Sequence, residues 1–114
     1  PMNEQSPSES FTDSLQIYRR ELDELDAQLI SLLAARFAIT RRVGALKAAH
    51  GVKAADPLRE EAQLERLVSL SAELDLQIEV TRTVFETLFR FVRENHLAQA
   101  SAASRAPRKL ESGS

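Results

Sequence analysis

A chain of 114 residues with three glycines, four prolines and six aromatic side chains has room for one domain with a small core, a size at which a partner subunit often supplies missing burial. Its formal charge of −2 speaks against a nucleic-acid binder, which needs a net basic surface. The absence of cysteine excludes disulfides and thiolate metal centres, and His50 and His96, the two histidines, are too far apart in sequence to suggest a zinc pair.

Residues 1–9 are rich in Ser, Pro, Asn and Glu, and residues 100–114 in Ser, Ala, Arg and Pro. Such compositions bury too little apolar surface to offset the entropy of ordering, so both segments are expected as disordered tails around a domain at 10–99. Pro1, the run Lys109–Ser114, or both are expected to be additions to the natural chain. No apolar stretch reaches the length of a membrane span, and the N-terminal segment lacks the basic-then-apolar order of a secretion signal. A soluble, cytoplasmic protein is expected.

The first helix is predicted from Ser10 or Thr12, either able to accept from first-turn amides, to His50, where Gly51 supplies a left-handed stop. Leu15, Tyr18, Leu22, Leu25, Leu29, Leu32, Ile39, Val43 and Leu46 follow the alternating spacing of three and four that makes a heptad seam. The seam position between Leu32 and Ile39 is Arg36. At 1.5 Å per residue this helix is about 55–60 Å long, more than two shorter helices of one chain can cover. The rest of its seam is expected to pack on a second subunit, with twofold symmetry the default for identical chains.

A second helix starts with Asp56 as N-cap and Pro57 as first helical residue, buries Leu64, Leu67, Val68 and Leu70, and fades over Ala72 to Asp75. A third begins near Gln77 and carries Ile78, Thr81, Val84, Phe85, Leu88, Phe89 and Val92 at helical spacing toward Gln99. No strand is predicted. The expected fold class is all-α: a three-helix chain with a long first helix, in an intertwined homodimeric bundle.

A charge inside a seam is costly unless it is paired, so Arg36 needs an anion. Lys47 lies eleven residues on, about 20° around the helix and roughly 16 Å along it. Helical side chains lean toward the N-terminus, so Lys47 points back toward Arg36 and the two frame a space the size of a small acid. A plainer reading has Arg36 bridged to a carboxylate of the second or third helix and Lys47 snorkelling to water. Arg19 sits roughly 25 Å before Arg36 and about 100° around; it is either a solvated charge or is carried to a ligand by an antiparallel partner helix. Asp56, Arg59 and Glu60 fall within one turn, with Asp56 and Glu60 on one side. Capping by Asp56 leaves that turn able to line a pocket.

Together these residues form the series R-x6-D-x9-R-x10-K-x8-D-x2-R-E, running through Arg19, Asp26, Arg36, Lys47, Asp56, Arg59 and Glu60. Over about Leu15 to Gln99 the chain resembles the all-helical, type II chorismate mutases. The resemblance implies a dimer of three-helix chains whose first helices span both active sites. It further implies conversion of chorismate to prephenate by a [3,3] rearrangement in aromatic amino-acid or related secondary-metabolite biosynthesis. No metal, cofactor or nucleophile is then needed. By position, Arg19 reaches the partner's site and Arg36 the site of its own chain, each on a substrate carboxylate. Lys47 meets the ether oxygen and a carboxylate, Arg59 helps hold the ligand, and Asp56 and Glu60 face the ring hydroxyl.

The third helix departs from the family, which usually has Ser at the place of Val92 and Gln or Glu at the place of His96, the second donor to the ether oxygen. Val92 offers only backbone there. His96 donates in either protonation state and more strongly as the cation, which predicts activity rising as pH falls. A shift of one turn instead puts His96 at the serine place and the donor near Gln99. Two rival functions stay open: a mutase or lyase acting on aminodeoxychorismate or isochorismate, and a helical dimerisation module without catalysis.

Overall fold

The computed structural model describes residues 7–105, which form three α-helices and, among the described residues, no strand: α1 (Pro7–Ala49), α2 (Pro57–Glu73) and α3 (Ile78–Arg105). Residues 1–6 and 106–114, and with them most of both expected tails, lie outside the described residues. None of the three helices is long and apolar enough to cross a membrane.

α1 starts at Pro7, earlier than expected at Ser10 or Thr12, because proline suits the first helical turn, where its missing N–H goes unmissed. Thr12 is inside the helix and its hydroxyl donates to the Ser8 carbonyl at 2.8 Å. The other end closes at Gly51, whose φ of 64° lets Val52 N–H reach the Lys47 carbonyl at 2.9 Å, a Schellman stop. α2 opens as the sequence suggests: Asp56 Oδ1 accepts from Arg59 N–H at 3.2 Å and Pro57 follows directly. Its C-terminus repeats the Schellman geometry without a glycine. Asp75 takes φ 57° while Leu76 N–H bonds the Ser71 carbonyl at 2.9 Å, a conformation that a short polar side chain tolerates better than most. α3 runs six residues past the expected Gln99, since Ala100, Ala102 and Ala103 favour helix and no Gly or Pro intervenes before Arg105.

The chain divides into two compact units, one ending at Arg36 and the other starting at Phe37. The first unit is the N-terminal part of α1. Its seam residues Tyr18, Leu22, Leu25, Leu29 and Leu32 are each more than half exposed in the single chain.

The second unit comprises the end of α1 with α2 and α3. Between α2 and α3, Phe89 is buried with Ser71 and Thr81, and Phe85 lies tilted against Phe89 with ring centroids 6.1 Å apart. The Ser71 hydroxyl donates to the Leu67 carbonyl at 3.0 Å and is itself bonded by the Thr81 hydroxyl, so both buried hydroxyls are satisfied. α3 meets α1 at Gly44: a Cβ there would stand 1.8 Å from Gln99 Oε1 and 2.6 Å from His96 Cδ2. Around that contact His96 Nε2 donates to the Thr40 carbonyl at 2.8 Å and Gln99 Nε2 to the Arg41 carbonyl at 2.9 Å.

Candidate active site

The connection between α1 and α2 gathers several of the predicted site residues. Lys47, in the last turn of α1, is half-buried and its Nζ donates to the Ala54 carbonyl at 3.4 Å, which draws the ammonium toward the loop that leads into Asp56. Asp56 caps α2 through one oxygen, and Arg59 is exposed, its backbone N–H taken by that cap. Glu60 is half-buried and does not stand alone: its Oε1 accepts from Arg93 Nη1 of α3 at 2.5 Å. The pair borders a cleft of about 360 Å3 between α2 and α3, whose wall also includes Pro57, Glu61, Glu86 and Phe89. That is the lower range of volumes that accommodate a small ligand.

Arg93 was not among the residues expected from the sequence. It continues the i+4 row Thr81, Phe85, Phe89 on α3, so the reasoning that singled out Arg36, a cation in an apolar stripe, reaches it as well.

Val92 is half-buried on α3, and His96, one turn further, is buried. The bond from His96 to the Thr40 carbonyl requires the proton on Nε2, which assigns the tautomer when the ring is neutral. The ring edge bearing Nε2 and Cδ2 therefore faces α1 at Thr40 and Gly44, and Nδ1 occupies the opposite edge. Gln99 is tied by its amide nitrogen to α1, with its Oε1 shielded from water.

In the N-terminal unit, Arg19 is exposed and Arg36 half-buried. Desolvation by burial lowers the pKa of the Arg36 guanidinium from its ordinary value, and its Nη1 is shut off from solvent. The neighbouring seam positions Leu32 and Ile39 are largely exposed.

The profile of the family described as chorismate mutase type II matches residues 18–97, a span that includes every predicted site residue from Arg19 to His96. The chain is similar to the T-protein of Haemophilus influenzae, with 35% identity over 89 residues that cover 76% of this chain and 22% of the T-protein. It thus spans about a fifth of the length of that relative. A match over most of three helices arranged as described here shows that the chain belongs to the type II chorismate mutase family, a family of isomerases.

Proposed function

We propose that the protein rearranges chorismate to prephenate in aromatic amino-acid or related biosynthesis, in the cytoplasm, with the catalytic domain at about residues 10–99. The observation that carries this reading is the ungapped series from Arg19 to Glu60, which lies inside the family match at 18–97. The reaction moves no proton obligatorily and needs no nucleophile. It needs the enolpyruvyl arm folded over the ring and a stabilised ether oxygen as the C–O bond breaks.

Arg36 and, from a second subunit, Arg19 hold the two substrate carboxylates, which supplies the orientation on which the rearrangement depends. Lys47 donates to the ether oxygen, where negative charge grows in the transition state, so the bond is stronger there than in the ground state. Each such charge-assisted bond contributes about 1.5–3 kcal/mol, and four or five suffice for a large rate enhancement even with imperfect additivity. Arg59 steadies the ligand, while Asp56 and Glu60 accept from the ring hydroxyl. Val92 contributes at most its backbone and apolar contact.

His96 serves as the second donor to the ether oxygen, and the tautomer assigned from its bond to Thr40 sharpens how. With Nε2 engaged by the Thr40 carbonyl, a neutral ring leaves Nδ1 as an acceptor only. Donation toward the substrate then requires the imidazolium. Gln99, whose amide nitrogen is already bonded to Arg41, is the weaker choice for this place.

The dimer is part of the proposal. Apolar seam residues exposed along the N-terminal unit favour a second copy as the covering surface, because a monomer would leave them in water. Partners beyond the second copy and the small diacid, such as nucleic acid or membrane, have no part in this reading.

Measuring chorismate depletion and prephenate formation by wild type and Arg36→Leu tests the assignment. Wild type is expected to form prephenate and Arg36→Leu to fail while remaining folded. The same measurement with isochorismate and with aminodeoxychorismate separates the related activities, release of pyruvate from isochorismate identifying a lyase. No turnover of any of the three acids by either protein would leave a dimerisation module.

A further inference from the structure

The Glu60–Arg93 pair bears on which ring substituent the site prefers. The pair is not sealed in a core: the side chains of Arg93 and Glu60 are 40% and 25% exposed, and both border the cleft between α2 and α3. Glu60 uses Oε1 on Arg93, which leaves Oε2 to accept from a ligand. Arg93 is the one cation among the described residues lining that cleft, where Glu61 and Glu86 are further anions.

We propose that Arg93 is a specificity-determining positioning residue, which neutralises and orients Glu60 so that the site favours a substrate bearing an uncharged ring hydroxyl over the analogue bearing a ring ammonium. The inference rests on the reading of Glu60 as the acceptor for the ring substituent. A hydroxyl and an ammonium both donate a hydrogen bond to Oε2, so hydrogen bonding alone separates them weakly. Charge separates them. An isolated Glu60 carboxylate attracts the ammonium by a full ionic interaction, whereas a carboxylate already paired with a guanidinium presents little net charge and places a cation near the incoming one. The hydroxyl gains from the fixed acceptor and loses little from the guanidinium. Arg93 thereby acts by attraction to Glu60 and by repulsion of the amine.

The test compares kcat/KM for chorismate and for its 4-amino-4-deoxy analogue in wild type, Arg93→Gln and Arg93→Lys, with folding checked by circular dichroism. Wild type is expected to prefer the hydroxyl substrate. Arg93→Gln is expected to shift the ratio of the two kcat/KM values toward the amine by about three- to tenfold, chiefly through a lower KM for the amine. Arg93→Lys, which keeps the charge, is expected to restore most of the wild-type ratio. A pair with only a structural role would change both substrates alike. A ratio constant within about twofold across the variants, or a wild type that prefers the amine, overturns the assignment of Arg93 while turnover of chorismate stands. A wild type that converts neither substrate overturns both this inference and the proposed function. Should Arg93→Gln fail to fold, Arg93→Met keeps the apolar stem without the charge and is read by the same ratio.

Discussion

Burial lowers the pKa of Arg36 by desolvation, so the folded protein holds this guanidinium at a cost that an apolar side chain would not incur. The folded-state value lies below the unfolded one. Between the two, the unfolded chain binds more protons and stability rises with pH; below both, which includes the whole neutral range, the cost is complete and constant. Arg36→Leu is therefore expected to raise the melting temperature by an increment that does not change between about pH 5 and pH 8, and to lower chorismate turnover by at least about 100-fold. Melting curves at several pH values and a turnover assay check the two halves separately. Arg36→Lys is expected to lose most activity too, because the planar fork that matches a carboxylate is gone. At His96 the expectation concerns the rate. If its Nδ1 donates to the ether oxygen, His96→Ala lowers kcat/KM by far more than its effect on the melting temperature accounts for. A lowered melting temperature with kcat/KM unchanged would assign His96 solely to the Thr40 carbonyl.

Among the elements, the contact of α3 with α1 turns on the missing side chain of Gly44. Alanine in a helix interior is intrinsically favoured over glycine by about 1 kcal/mol, yet here its methyl would stand 1.8 Å from Gln99 Oε1 and 2.6 Å from His96 Cδ2. The end of Gln99 can swing aside, but only by giving up its bond to the Arg41 carbonyl; the His96 ring, buried and bonded to Thr40, has less freedom. Overpacking of this kind costs about 1–3 kcal/mol and outweighs the propensity gain. Gly44→Ala is expected to lower the urea midpoint with an unchanged slope, and Gln99→Ala added to it is expected to recover part of the loss, a coupling that a double-mutant cycle measures.

For the whole molecule, the proposed dimer links stability and catalysis. If a second copy covers the seam exposed over Tyr18, Leu22, Leu25, Leu29 and Leu32, folding depends on association and the melting temperature is expected to rise with protein concentration. The division of labour between Arg19 and Arg36 gives a sharper test. If Arg19 serves the partner's site and Arg36 its own, a heterodimer of Arg19→Ala and Arg36→Ala chains contains one intact site and one lacking both arginines. Mixing the two inactive variants after reversible unfolding is then expected to restore about a quarter of wild-type activity, since half of the dimers are mixed and each holds one of two sites. Were both arginines to serve the same chain, no activity would return.

Features set by neighbouring residues were determined by the sequence alone: the heptad spacing of α1, the Asp56–Pro57 start of α2 and the Gly51 stop all act within a turn or two of chain, where backbone geometry is local. The recurrence from Arg19 to Glu60 was equally legible, because helical rise converts spacing into position. The end of α2 was harder to read, as Asp75 takes a left-handed conformation for which glycine is the usual signal. What only the tertiary structure decided are the meetings of distant segments: Glu60 with Arg93, 33 residues apart, and Thr40 with His96, 56 apart. Nothing local to either residue specifies its partner, because such bonds form only once α2 and α1 have packed on α3 and water has been excluded between them.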